Sequence, residues 1–521
     1  MVATSALAGC ATVAPSAPAT SAPAVIVKQK PVILLQGVDP ESLDPQFGES
    51  GISAAVYVNT IESLVQYNRN MELVPLLCES YQVLDDNVTW RWKLREGVTF
   101  WNGQPFNAES VKFTVERTMN EELRQQGLND PFPSRTGIQE VIIQDNYTVD
   151  MVLAEPNIVM PVFTYFLYML EPSYYTSKTP QETALMPMGT GPYMVTDWVK
   201  GDHLTLEANP NYWRGEPPIK TLIYKPVPEK STRMNLLLTG EADVVKDLDP
   251  DDLAALQGAN NVRPSIAPGS RRTHIGIPTR VARYQDRRVR EALRYAVDWQ
   301  SLNDGLLAGL AVHRPTVLVT NEGWIPSSLN PWPYDPEKAK DLLAEAQFPM
   351  DEPITIYVPQ GRYLKGEEVC LAIAGQFRNV GLNADVQVLD WTVFTDQMRS
   401  ESGLDDLYLL GLGSRFNGPE DVSIVTTGQV WDQTGWIENT ENGPKFGALY
   451  SQLRETFDEQ AQHDLVAEML DLFEQECVWI SLWLQPAVSG ATNCTDWEDW
   501  GGGGNLAMWP PPPDEPVNYT C

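Results

Sequence analysis

Apolar and polar residues alternate with period two in several short stretches, and between these they recur at helical spacing. Trp90, Trp92 and Leu94 interleave with Arg91, Lys93 and Arg95, which predicts a strand with one buried face. Trp101-Asn102-Gly103 then turns the chain. Asn107 is the expected N-cap of a helix carrying Val111, Phe113 and Val115, with Ser110 inside its first turn. Further strands are expected at Val32–Leu35, Thr148–Leu153 and Met194–Val199. Ala54–Tyr67 reads as an amphipathic helix leading to a short strand, and Met234–Leu238 is apolar at helical spacing. Val289, Ala292, Leu293, Ala296 and Val297 form a clear helix stripe, and Asp335-Pro336 opens a helix running through Ala346. After it come the strand Ile354, Ile356, Val358, the helix Glu367–Val380, the strand Ala384, Val386, Val388 and the strand Leu407–Leu412. That rhythm implies parallel sheet covered by helices. Ala448–Glu476 reads as the last long helix, before the apolar segment Val478–Leu484.

With 521 residues the chain is too long for one core and should divide into two or three lobes. A composition of 43% hydrophobic and 20% charged residues implies a folded body. The formal charge, 37 minus 69 or −32, excludes sequence-independent nucleic-acid binding and reads as a soluble, self-repelling surface. No run of about 20 apolar residues occurs. Leu7-Ala8-Gly9-Cys10 looks like a bacterial lipobox, in which Cys10 would carry lipid. Only Met1 to Ala6 precede it, so either the start lies upstream or the match is chance. Ala11 to Val25, rich in Ala, Pro, Ser and Thr, reads as a partly extended tether behind such an anchor.

Candidate chemistry narrows the picture further. His203, His274, His313 and His463 form no metal or zincin pair and read as surface or satisfied core residues. No nucleophile elbow is present, and Gly189-Thr190-Gly191-Pro192 lacks the lysine of a phosphate loop. No cofactor or metal is expected. Arg287, Arg288, Arg290 and Arg294, offset by Asp286, Glu291 and Asp298, read as a solvated helix face. Cys78, Cys370 and Cys477 sit in apolar surroundings and read as inert core. A disulfide between Cys494 and Cys521 would close a Gly/Pro-rich tail, as suits an oxidising compartment. The 16 Trp and 19 Tyr leave one enzymatic alternative open, a secreted polysaccharide-acting enzyme with an aromatic cleft.

The stretch Val88–Arg117, with Glu41-Ser42-Leu43-Asp44-Pro45, Gly189-Thr190-Gly191-Pro192-Tyr193, Gly240-Glu241-Ala242-Asp243 and Asp286–Asp298, resembles the extracytoplasmic solute-binding proteins of family 5. These are the peptide, dipeptide and nickel-complex receptors of ABC importers. The resemblance runs from about Val32 to Gln485. It implies an α/β, two-lobed periplasmic-binding-protein fold, type II-like, with an extra subdomain on the first lobe. The expected organisation is a truncated signal and lipobox over 1–10 and a tether over 11–30. Lobe I would comprise 31–67, 189–270 and 481–521, with 68–188 as its subdomain and 271–480 as lobe II. Hinge strands should cross near 268–272 and 478–488. The implied function is capture of a peptide-like or other small solute between closing lobes, without catalysis. The implied partners are a permease and ATPase, with the membrane reached through a lipid anchor only, and a monomer is expected. A sensory binding protein is the remaining alternative.

By position in the family, Phe47, Gly48 and Glu49 fall on the first rim loop, Arg271 and Arg272 at the lobe junction, and Trp391 after a strand end. The family's peptide receptors hold a ligand amine with an aspartate in the loop that here reads Gly413-Ser414-Arg415-Phe416-Asn417-Gly418-Pro419. Arg415 stands where that aspartate would be. Facing the ligand, it would repel an ammonium and favour a carboxylate; alternatively it points to solvent or pairs with Glu420 or Asp421. Phe416 and Asn417 complete the candidate set.

Overall fold

Two long antiparallel strands, Val262–Gly276 and Trp479–Thr492, run side by side through the middle of a ten-stranded sheet and join its two halves. The computed structural model describes residues 30–48, 51–69, 72–128, 130, 132–318, 322–326, 329, 332–400, 403–413, 419–425, 434–499, 506–508, 510 and 516–521. On one side of the long pair lie Val244–Val245, Val32–Gln36, Thr221–Pro226, His203–Ala208 and Tyr193–Val199, in that order. On the other lie Leu407–Gly413, Pro353–Pro359 and Asn383–Leu389. The ladder between the long strands breaks its register between Pro268 and Arg272. This is the molecule's α/β, two-lobed frame, and the lobes below are its two halves.

The apolar interior divides in the same way. One core runs from Ile275 to Trp483 and fills the second lobe. Smaller clusters around Val32, Leu222 and Val244, and around Leu35, Leu237 and Val488, fill the first. A third body, from Leu64 to Met169, is built on its own four-stranded antiparallel sheet. There the strand Thr89–Leu94 buries Trp90, Trp92 and Leu94 and turns Lys93 outward, as its alternation requires. The following helix, Ala108–Thr118, opens on a reciprocal capping box between Asn107 and Ser110.

Several phrases of the sequence converge on one buried carboxylate. Glu62 accepts from Thr190 Oγ1 at 2.7 Å, Tyr212 OH at 2.8 Å and Trp213 Nε1 at 3.1 Å. Burial raises its pKa despite these donors. Trp101 Nε1 and Asn209 Nδ2 both donate to the carbonyl of Gly191, each at 3.1 Å. Gly189 and Gly191 lie against the backbone of Thr60, and a Cβ on Gly191 would come within 2.6 Å of the Thr60 carbonyl carbon. The G-T-G-P turn is thus a packing device between the first lobe and its subdomain. A second knot holds the loop after the first strand. Arg117 pairs with Asp44 at 2.7 Å and donates to Gln46 at 2.6 Å, while Thr183 Oγ1 donates to Asp44 at 2.6 Å.

Three sequence expectations need correction. Arg287 and Arg288 are exposed, but Arg290 and Arg294 point inward to Glu476 and Glu474, so this helix face is not solvated. Their partners stand some 180 residues away, beyond the reach of any local pattern. The expected helix Ala448–Glu476 is two helices, Gly443–Arg454 and Glu459–Glu476, with Asp458 capping the second by accepting from Ala461 N. The histidines are not all satisfied. Three stack on tryptophans: His274 on Trp479, His313 on Trp299 and His463 on Trp324. Of these, His274 is buried with neither ring nitrogen hydrogen-bonded. His203 is clasped between Asp197 and Asp202.

The tail returns to the first lobe, where Trp497, Met508 and Val517 join its core and Cys494 is bonded to Cys521, with Cα atoms 5.1 Å apart. Cys78, Cys370 and Cys477 are free and buried. Among the described residues no helix is long and apolar enough to cross a membrane.

Two outcomes follow. Gly189→Ala should lower stability by about 3 kcal/mol in urea unfolding, because its Cβ meets fixed backbone. Gly258→Ala, with open space around it, should be neutral to within about 0.5 kcal/mol. Burial depresses the proton affinity of His313 to about 4, and that of His274 as well. A base depressed on folding stabilises above its unfolded value near 6.5 and loses that contribution as pH falls toward the folded value. Unfolding free energy should therefore fall as pH drops from about 6.5 to 5, with a limiting slope of about 1.4 kcal/mol per pH unit for His313 and a further fall from His274, and His313→Gln should flatten that slope.

Candidate functional site

Strand direction locates the site. In the first lobe Val32–Gln36 runs parallel to Thr221–Pro226 and to Val244–Val245, and Val244–Val245 runs against Trp479–Thr492. In the second lobe Pro353–Pro359 runs parallel to Asn383–Leu389 and to Leu407–Gly413, and Leu407–Gly413 runs against Val262–Gly276. The long strands pass through both halves, so the carboxyl ends of the two parallel sets point at one another. Loops after Gln36, Pro226 and Val245 face those after Pro359, Leu389 and Gly413. Open α/β sheets take ligands outside the carboxyl ends of their strands, and here two such edges border one cleft.

The second lobe presents a cationic and aromatic edge. Arg271 donates from Nη1 to the carbonyl of Gly411 at 2.8 Å, and its guanidinium lies 5.9 Å from the Tyr363 ring. Burial and then the charge of Arg362 pull its pKa down. Arg362 stands 4.9 Å over Trp391, whose ring stacks on Phe394. Arg272, the next residue on the strand, projects from the opposite face and is buried. Gly411 is small by necessity, since a Cβ there would lie 2.6 Å from Tyr363.

The first lobe presents carboxylates. Asp247, in the left-handed region at φ 55°, acts on Arg271 through space. Asp249, Asp251 and Asp252 follow it around a short turn. Lys365 reaches across to Asp251 at 2.7 Å, and Leu364 N donates to Gln485 Oε1 at 3.2 Å. Lys365 itself holds the left-handed φ of 52° that begins its helix. At the far side of the first lobe, Ile158 N donates to the carbonyl of Arg454 and Trp90 packs on Phe457. The lobes therefore touch on both flanks, in a closed arrangement.

Of the residues expected from the sequence, Arg271 and Trp391 come together at this edge through Tyr363 and Arg362, while Arg272 faces the other way, toward Trp479. Phe47 and Gly48 belong to the loop after Gln36, but their contacts are with their own lobe. Phe47 lies 5.5 Å from the Arg117 guanidinium, and Gly48 accepts from Tyr57 OH at 3.3 Å. Glu49, Arg415, Phe416, Asn417 and Cys10 lie outside the described residues. Sequence reading missed Asp247, Asp251, Arg362, Tyr363 and Lys365. The only available signal was their place just after a predicted strand or turn. Among the described residues no group of three or more His, Cys, Asp or Glu is placed to hold a metal ion.

Comparison with known proteins agrees with this geometry. The model of bacterial extracellular solute-binding proteins, family 5, matches residues 72–432. The glutathione-binding protein GsiB of Escherichia coli K12 is 27% identical over 474 residues, covering 88% of this chain and 90% of its own. Among solved structures, the substrate-binding protein CtaP of Listeria monocytogenes superposes with a TM-score of 0.83 at 18% identity, over 94% of this chain and 99% of its own. DppA of Helicobacter pylori in complex with the peptide STSA gives 0.77 at 20%, over 94% and 98%. NikA of Brucella suis in complex with Fe(III)-EDTA gives 0.79 at 21%, over 89% and 96%. At these identities the superpositions establish the fold, and the family match over most of the chain establishes the rest: this protein belongs to the bacterial extracellular solute-binding proteins, family 5.

Proposed function

We propose that the chain is the solute receptor of an ABC importer and that it closes its lobes on a small peptide-like or similarly sized solute. It delivers that solute to a permease and ATPase, works as a monomer outside the cytoplasm, is held to the membrane by lipid on Cys10, and performs no chemistry on its cargo. The observation that carries this reading is the pair of opposed carboxyl edges, bridged by two strands whose ladder breaks at Pro268–Arg272. Such a joint lets the lobes part, and a ligand touching both edges selects the closed form. Relatives named for glutathione, and structural neighbours holding a peptide or a metal chelate, support a ligand of that size.

Native mass spectrometry before and after denaturation tests this reading directly. One small molecule per chain, released on unfolding, is expected, and small-angle scattering should report a more open particle once it is gone. A scattering profile unchanged by ligand removal would count against closure. The Lys365–Asp251 contact should favour the closed form only slightly, because Asp251 is 72% exposed. Lys365→Met is expected to weaken affinity about two-fold, at low salt only, and the exchange Lys365→Asp with Asp251→Lys should restore it.

A further inference from the structure

Arg272 stands where the first long strand enters the second lobe, opposite Leu412 on one neighbour and Leu484 on the other. It is 3% exposed, and none of its three guanidinium nitrogens has a hydrogen-bond partner. The other buried arginines among the described residues differ. Arg117, Arg233, Arg290 and Arg294 all donate to carboxylates or carbonyls. Asp421, itself buried, acts on Arg272 through space without a hydrogen bond. A guanidinium taken out of water and left unpaired is strongly unfavourable, so the position calls for an acceptor.

Its surroundings are unspent as well. His274, two residues on and therefore on the same strand face, is 1% exposed with both ring nitrogens unpartnered. Burial, followed by the charge of Arg272, keeps the ring neutral. It stacks on Trp479 at 3.7 Å, and the Arg272 guanidinium lies 5.8 Å from that same ring. Ser481, paired across the ladder with His274, has a buried hydroxyl without a partner. Arg272 pairs with Leu412, one residue before the end of Leu407–Gly413, whose following loop borders the cleft, and His274 pairs with Leu410 behind it.

We infer that Arg272, with His274 and Ser481, forms a subsite for an anionic group of the solute, a carboxylate or an oxyanion of similar size. The guanidinium offers two parallel N–H groups to such a group, the neutral imidazole one more, and the serine hydroxyl another. The solute is therefore acidic or zwitterionic. This rests on the receptor reading and adds the ligand's charge to it.

Two measurements test the subsite. In protein unfolded, washed and refolded free of ligand, Arg272→Met should melt a few degrees above the wild type, because an unpaired charge leaves the core. Arg272→Gln separates loss of charge from loss of packing. If both variants melt lower, and Asp421→Asn does the same without adding to them, Arg272 is already used by Asp421 and the inference is overturned. The second measurement is calorimetric titration with di-, tri- and tetrapeptides as free acids and as C-terminal amides, and with glutathione and its diester. Free acids should bind, with Arg272→Met losing about 30-fold on them and leaving amides and esters unchanged. Equal binding of acids and amides, indifferent to Arg272→Met, would discard the subsite and leave the receptor standing. If the wild type binds none of them, the peptide-receptor reading fails, and the melting comparison alone decides Arg272.

Discussion

The backbone hydrogen bonds between Val262–Gly276 and Trp479–Thr492 pass from one lobe into the other, and every other element is placed by its relation to them. Each long strand pairs with first-lobe register at one end and second-lobe register at the other. The direction of Val244–Val245 and of Leu407–Gly413 against this pair turns both sets of parallel strands inward. Had either strand docked the other way round, the loops that now meet across the cleft would point to opposite ends of the molecule. The constraint is one of topology, and side chains elaborate it. The ladder loosens where lobe meets lobe: Gly269 lies against the carbonyl of Gln485, where no Cβ would fit.

Much of this architecture was legible in the chain because it is local. Alternation identified Trp90, Trp92 and Leu94 as inward-facing. Asn107, Asp335 and the stripe from Val289 marked helices through spacing and caps alone. What stayed hidden depends on partners far along the chain. Arg290 and Arg294 look like surface charges until Glu474 and Glu476 are brought beside them. The break before Asp458 is invisible in a sequence apolar at helical spacing on both sides. At the site, Arg271, Arg272 and Trp391 could be proposed from position. Asp247, Asp251 and Lys365 could not, since an acidic turn and a lysine are commonplace until the fold sets them face to face.

The phrases that make the chain recognisable are mostly not the ones that would touch a ligand. Thr190, Tyr212 and Trp213 are spent on Glu62, Trp101 and Asn209 on the carbonyl of Gly191, and Asp44 on Arg117. These contacts weld the subsidiary sheet to the first lobe and hold its rim loop, away from the cleft residues. The two edges of the cleft also differ in sign, acidic on the first lobe and basic on the second. A net charge of −32 therefore coexists with a local cationic edge. Field lines from so acidic a surface would repel an anion at long range, so capture of an acidic solute depends on short-range contacts at that edge.

The order of strands also governs the order of assembly. Val32–Gln36 has its neighbours at Thr221–Pro226 and Val244–Val245, and Val244–Val245 completes its pairing only with Gly490 and Ala491. The subsidiary sheet, by contrast, is contained between Cys78 and Leu153, and the second lobe's sheet needs little beyond its own stretch of chain. Contacts of such wide sequence separation form late. A chain emerging from its amino end can thus organise the subsidiary sheet and then the second lobe, while the first lobe waits for almost the whole polypeptide. The Cys494–Cys521 bond fastens the segment that finishes it. Until Thr221–Pro226 and Val244–Val245 have emerged, Val32–Gln36 has no partner strand on which to dock, and the first lobe is the last part of the molecule to complete its sheet.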